Sequence, residues 1–200
     1  MTLEEIFNFY STVFLPNYSR VTAETLEKPV QVAVEIENAF SHIAVYYEFA
    51  KQGNQEKQSE HISKAKGHLE RATLDCLKLT LIEVARQARI FEKPGVLEHA
   101  TTGKLQETRA LLENFKISWK ETRRKEVCGL EEDPETRIQY YTETIKIADD
   151  LMFLLDYERL AKLKSFWFMY YAKSLILSFA LGAMSGVLGN YIFEFLKQPK

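Results

Sequence analysis

The sequence predicts an all-α protein, a helical bundle followed by one C-terminal transmembrane helix. Apolar residues recur at helical steps along most of the 200 residues, and no useful length alternates with the period of two that a half-buried strand requires. Residues 174–193 carry no charge, and such a helical run spans about 30 Å, the thickness of the hydrocarbon core of a bilayer. The predicted division is a bundle over 1–165, the transmembrane helix with its aromatic flanks over 166–196, and a short tail over 197–200.

The N-terminal half is predicted to contain three helices. Thr2 and Glu5 have the spacing of a capping box, which begins a first helix that ends before Pro16. The second helix covers 30–51 and the third 55–91, because each is followed by glycine or proline. The short turn between them predicts that the second and third helices are antiparallel neighbours.

Two further helices are predicted in the C-terminal half. The fourth covers 101–126 and ends near Gly129. Pro134 suits the first turn of a helix, where its missing N–H costs nothing. Because neither proline nor glycine follows until Gly182, the fifth helix is predicted to run without interruption into the membrane span.

Small and polar residues form a stripe along the predicted span. A step of four residues places them on one helical face: Ser174, Ser178, Gly182, Gly186 and Asn190. In lipid, small residues allow close helix packing, and polar ones need a partner helix or water, so we interpret the stripe as a helix-packing or pore face. Two plainer readings remain open: an anchor without a pore, and the buried last helix of a soluble bundle.

Charge predicts orientation and excludes some functions. The acidic start lacks the basic region of a secretory signal, and four basic residues precede the span against two after it, so we expect a cytoplasmic N-terminal domain. The 26 basic and 28 acidic residues give no basic surplus, so tight direct nucleic-acid binding is not expected. Cys76 and Cys128 are isolated, which indicates neither a zinc site nor a required disulfide.

The second and third helices each carry a polar trio at i, i+3 and i+7. The trios are Glu35, Asn38 and His42, and His68, Arg71 and Asp75. Their favoured interpretation is a buried polar network in which Arg71 bridges to Asp75 or Glu35. A catalytic or RNA-contacting site stays open. A metal site is disfavoured because di-iron Glu-x-x-His pairs are missing and Arg71 would repel a cation.

Residues 67–79 (GHLERATLDCLKL) and 37–44 (ENAFSHIA), closed by a C-terminal span, carry a resemblance to a known family. The chain resembles HEPN-like helical domains and, more narrowly, the small membrane accessory proteins of type VI-B CRISPR systems. The resemblance implies a bacterial inner-membrane protein that forms octameric, pore-like rings. It also implies a role in antiviral defence. In that role the protein depolarises the membrane after an RNA-guided ribonuclease effector has cut viral transcripts.

HEPN ribonucleases have an Arg followed by a His after four to six residues, and no Arg in this chain has that spacing. We therefore expect no enzymatic activity, no cofactor and no metal. The alternative hypothesis is a membrane-tethered, divergent HEPN ribonuclease, in which Asn38, His42, His68 and Arg71 perform acid–base work and stabilise the transition state.

Overall fold

The structure is a computed structural model that describes residues 2–128 and 133–196, without the side chains of residues 180, 183 and 186–196. The described residues form α-helices and no β-sheet, so the all-α part of the predicted fold class agrees with the structure. The helices are α1 (Leu3–Phe9), α2 (Leu15–Thr25), α3 (Val30–Lys51), α4 (Gln55–Ala88), α5 (Val96–His99), α6 (Leu105–Val127), α7 (Pro134–Phe153) and α8 (Tyr157–Leu196).

Helix α4 lies at the centre of the bundle, with α2, α3 and α7 packed against it. Its apolar residues recur every three or four positions, and Leu77, Leu81, Val84 and Ala88 are all at least 97% enclosed. The C-terminal half of α4 joins α5, α6, α7 and the start of α8 in the largest apolar core. Its N-terminal half joins α1 and α3 in a second core, and its middle joins α2 and α3 in a third.

The antiparallel pairing of α3 and α4 follows from local signals. Gly53 has φ +71°, a left-handed conformation that glycine adopts without the strain of a Cβ. The Asn54 side chain then accepts a hydrogen bond from the backbone N–H of Lys57 at 3.1 Å and caps α4. The observed bounds of α3 agree with the predicted helix 30–51.

The first predicted helix continues beyond Pro16. A π-helical turn, Tyr10–Phe14, follows α1 and leads directly into α2. This turn places Pro16 in the first turn of α2, where a residue without an N–H breaks no helical hydrogen bond. The prediction that the helix ends before Pro16 is therefore wrong, and the helical segment reaches Thr25.

The predicted uninterrupted fifth helix is divided into α7 and α8. The N–H of Thr102 donates to the carbonyl of Leu154 at 2.8 Å, and the N–H of Asp156 donates to the carbonyl of Ala100 at 2.9 Å. These contacts with a distant loop replace helical hydrogen bonds. The Asp156 carboxylate then accepts from the N–H of Arg159 at 3.0 Å and begins α8.

The predicted transmembrane helix is wrong for the described residues, where no helix is both long enough and apolar enough to cross a bilayer. The inner-membrane location, the lipid-bilayer partner and the cytoplasmic orientation inferred from that span lose their basis with it. The predicted tail 197–200 lies outside the described residues.

Candidate functional site

The facing surfaces of α3 and α4 bring five polar side chains together, which we call the polar cluster. Its members are Glu35, His42, His61, His68 and Arg71. Glu35 and His42 project from α3 two turns apart, while the other three project from one face of α4. The cluster therefore exists because the Gly53 turn aligns two helices that carry polar residues at matching steps.

Glu35 joins two members of α4. Its Oε2 atom lies 2.7 Å from His68 Nδ1 and accepts a hydrogen bond from Arg71 Nε at 3.1 Å. Only 13% of the Glu35 side chain is exposed, against 52% of Arg71. The cluster therefore has a shielded carboxylate with a guanidinium at its solvent side. Burial opposes ionisation of Glu35, but the hydrogen bonds from His68 and Arg71 outweigh it, so the pKa of this carboxyl is lowered.

His68 Nδ1 has two competing partners. Besides its contact with Glu35, this nitrogen lies 2.7 Å from Arg71 Nη2. One ring nitrogen cannot donate a proton to a carboxylate and accept one from a guanidinium at the same time. The proton position on His68 therefore selects between these two hydrogen bonds.

The imidazole rings continue the cluster along the helix pair. His42 stacks on His68 with ring centroids 5.2 Å apart, and His42 Nδ1 lies 3.0 Å from His61 Nδ1. The ring of Phe49 covers His61 at 5.6 Å between centroids. Burial lowers the pKa of His42, and the charges of His68, His61, Lys64 and Arg71 lower it further.

Two residues of the predicted trios lie outside the cluster. Asn38 is exposed and has no hydrogen-bonding partner within the described residues. Asp75 lies 3.7 Å from Lys78 instead of reaching Arg71. His61 belongs to neither predicted trio, although it precedes His68 by seven residues and so occupies the same face of α4. That spacing was the signal that would have found it.

The polar cluster has the groups for acid–base chemistry but also the contacts of a structural network. Within the described part of the chain, no group of three His, Cys, Asp or Glu side chains has a geometry suited to a metal ion. Glu35 pairs with Arg71 and contacts Nδ1 of His68, so both groups have a partner within the cluster, while the Arg71 side chain stays half exposed.

A second candidate site is the α8 arm, which we define as residues 168–185. The start of α8 belongs to the bundle, where Leu160 is buried and Leu163 and Trp167 pack against the largest core. Beyond Trp167 the large apolar side chains are exposed: Phe168, Met169, Tyr170, Tyr171, Leu175, Ile176, Leu177, Phe179, Leu181 and Met184. Phe179 is 81% exposed and Leu175 73%.

The predicted stripe lies on this arm as far as the described side chains extend. Ser174 and Ser178 are exposed, and a Cβ placed on Gly182 would meet no atom within 4 Å. Ser185 Oγ donates back to the carbonyl of Gly182 at 2.9 Å. Gly186 and Asn190 lie outside the residues whose side chains are described. The stripe is therefore open along its described length, and nothing in the described chain packs against it.

Comparison with known proteins finds no matching family model, no matching curated protein and no matching solved structure.

Proposed function

We propose that this chain is a self-assembling, non-catalytic helical protein that serves as an accessory of an RNA-targeting CRISPR defence system. Its bundle is the folded body of each copy, and its α8 arm packs against the arms of further copies. The observation that carries the assembly part is the row of large apolar side chains exposed on the arm.

Exposure of these side chains to water is unfavourable. Contiguous apolar patches of this kind mark interaction surfaces, and each fully buried large apolar side chain contributes about 1.5–3 kcal/mol. Exposed side chains surround the arm, since the adjacent residues Leu175, Ile176 and Leu177 are each more than 60% exposed. Packing against the arm of another copy removes part of this apolar surface from water, which favours assembly through the arm.

The defence setting is supported by the resemblance of residues 67–79 and 37–44 to HEPN-like accessory domains. The pore and the change in membrane potential depended on the transmembrane span, and they are not part of this proposal. The absence of the HEPN Arg–His spacing and the engagement of Arg71 by Glu35 favour a role without catalysis. The ribonuclease effector remains the proposed functional partner, and the number of copies is left to measurement.

Cysteine cross-linking in cells tests the assembly. In a Cys128→Ser background, which removes the exposed thiol, single Ser174→Cys and Ser178→Cys variants would be treated with a short bis-maleimide. We expect covalent dimers between copies, because the stripe is the part of the arm where helices approach most closely.

The matched control is Ile176→Cys, which lies about 160° around the helix from both serines and is 69% exposed. We expect several-fold less dimer at this position. Equal cross-linking at all three positions would reject the stripe as the contact face, and no cross-linking at any of them would reject assembly through the arm.

A second candidate function is RNA cleavage by the polar cluster, favoured by one observation. Arg71 is half exposed directly beside His68, so a phosphate could reach both groups. A fluorogenic single-stranded RNA incubated with the purified chain tests this. Cleavage that disappears in both His42→Ala and His68→Ala but persists in an arm variant would replace the assembly proposal with the ribonuclease.

A further inference from the structure

A cavity of about 310 Å³ lies between α4 and α6, beside the 3₁₀ turn Arg89–Glu92. The lining side chains of α4 are small there, because Ala88 leaves room that a larger residue would fill. Leu112 and Phe115 of α6 form the apolar floor. The cavity is separate from the polar cluster and from the α8 arm, and its volume is at the lower end of the range for small-molecule sites.

The aromatic wall of this cavity contains an unsatisfied donor. Trp119 lines the cavity, and its indole Nε1 is buried without a hydrogen-bond partner. Leaving a buried N–H unpaired costs about 1–3 kcal/mol, which is why such groups in folded proteins nearly always have an acceptor. A ligand in the cavity cannot reach this enclosed N–H, but the part of the indole ring that lines the cavity offers a flat face for stacking.

The rim of the cavity is positively charged in a chain with a net charge of −2. It carries Arg89, Lys116 and Lys120 against one carboxylate, Glu92. Lys116 lies 3.2 Å from Glu92, and this hydrogen bond raises the pKa of the lysine. Among the described residues, Arg89 and Lys120 have no carboxylate within ion-pair distance, so two cations stay uncompensated at the entrance.

We propose that this cavity binds a small aromatic anion, with its ring against Trp119 and its anionic group between Arg89 and Lys120. The apolar floor excludes a purely ionic ligand, and the basic rim disfavours a neutral or cationic one. Nucleoside monophosphates and simple aryl sulfonates share this chemistry. The inference does not depend on assembly through the arm or on the defence setting.

Isothermal titration calorimetry on the full chain tests the site with four probes. Adenosine 5′-monophosphate and naphthalene-1-sulfonate combine a ring with an anionic group, while adenosine and inorganic phosphate each supply one half. We expect saturable binding of at least one of the first two, and binding about tenfold weaker or absent for the halves. Binding of the nucleotide alone would assign a nucleotide ligand, and binding of both would assign aromatic anions in general.

Three variants locate the binding. Trp119→Ala removes the ring against which the probe stacks, and we expect about a tenfold loss of affinity. The double change of Arg89→Glu and Lys120→Glu should weaken binding by at least about tenfold. Lys146→Glu, at an exposed position on α7, makes one charge reversal of the same sign outside the cavity and should leave affinity unchanged.

Tryptophan fluorescence gives a second readout of binding beside Trp119. The chain has two tryptophans, so a Trp167→Phe background leaves Trp119 as the sole indole fluorophore. We expect its emission to shift on titration with the bound probe. If neither aromatic anion binds saturably, or if binding survives both the Trp119 change and the double charge reversal, the proposal is wrong.

Discussion

Helices α4 and α8 are the two longest helices of the described chain, at 34 and 40 residues. They differ in the burial of their apolar residues, which is high in α4 and low along most of α8. Along α4 the apolar face is enclosed by neighbouring helices from Ile62 to Ala88. Helix α8 is enclosed only at its start, and its arm exposes nearly every large apolar side chain. The bundle therefore buries its apolar residues within one chain, whereas the arm has apolar surface that no described residue of the chain covers.

The largest expected effect comes from removing a core side chain of the bundle. Phe91 is 1% exposed in the largest core, so Phe91→Ala should lower the free energy of unfolding by about 3–5 kcal/mol. Phe179→Ala on the arm should change the unfolding of dilute protein by less than about 0.5 kcal/mol. Urea denaturation followed by circular dichroism compares the two. Equal destabilisation would mean that the arm is part of the cooperative core.

Removing the arm should separate assembly from folding. A chain that ends at Trp167 keeps every residue of the largest core, so we expect its free energy of unfolding to change by less than about 1 kcal/mol at low concentration. At the same time its sedimentation should become that of a monomer at all concentrations. Loss of cooperative unfolding on truncation would remove the distinction between the two regions.

Within the bundle, the polar cluster should matter less than the apolar core. Glu35→Gln leaves His68 and Arg71 without their shared carboxylate, and we expect a loss of about 1–3 kcal/mol. Glu37→Gln, at an exposed position on the same helix, is the matched control and should have almost no effect. Thermal unfolding measures both. A neutral Glu35→Gln variant would show that the cluster adds nothing to stability.

These regions also differ in how well local sequence predicts them. The bounds of α3 and the start of α4 agree with the sequence because Pro29, Gly53 and Asn54 act within a few residues. The break between α7 and α8 has no such signal, because the N–H of Asp156 donates to Ala100 and the carbonyl of Leu154 accepts from Thr102, residues more than fifty positions away. Local sequence patterns predict where helices begin and end, but they do not predict contacts between distant segments.

The contacts of the candidate sites are also only partly predictable from local sequence. Spacing places His68 and Arg71 on one face of α4, and antiparallel pairing brings α3, which carries Glu35, beside that helix. Neither the exposure of Asn38 nor the pairing of Asp75 with Lys78 follows from spacing, because both depend on the rotation of each helix. For the arm, the sequence shows the uncharged run, and from it we predicted a transmembrane helix. The described helices do not support that prediction.

The smallest expected effect is a pH dependence in the bundle. The pKa of His42 is lowered from 6.5 in the folded chain, so the unfolded chain binds a proton there first as the pH falls. This stabilising contribution is complete above pH 6.5 and is lost as the pH falls below that value. Because the pKa of Glu35 is lowered from 4.5, its contribution is lost only at more acidic pH.

Scanning calorimetry between pH 4.5 and 6.5 isolates the histidine contribution. We expect the melting temperature to fall on acidification, by roughly 2–4 °C for each kcal/mol lost. A His42→Gln variant should show a smaller fall over the same window. An unchanged slope in the variant would assign the pH dependence to other groups.

Sedimentation velocity over a range of protein concentrations tests assembly through the arm most directly. We predict that the parent chain forms a discrete oligomer, and that the combined changes Leu175→Gln, Leu177→Gln and Phe179→Gln convert it to a monomer with a folded bundle. The control replaces Ile82 and Ile117, which are 55% and 62% exposed on the bundle, with Gln and should leave the oligomer intact. A parent chain that stays monomeric at every concentration, or an arm variant that assembles like the parent, would contradict the proposal.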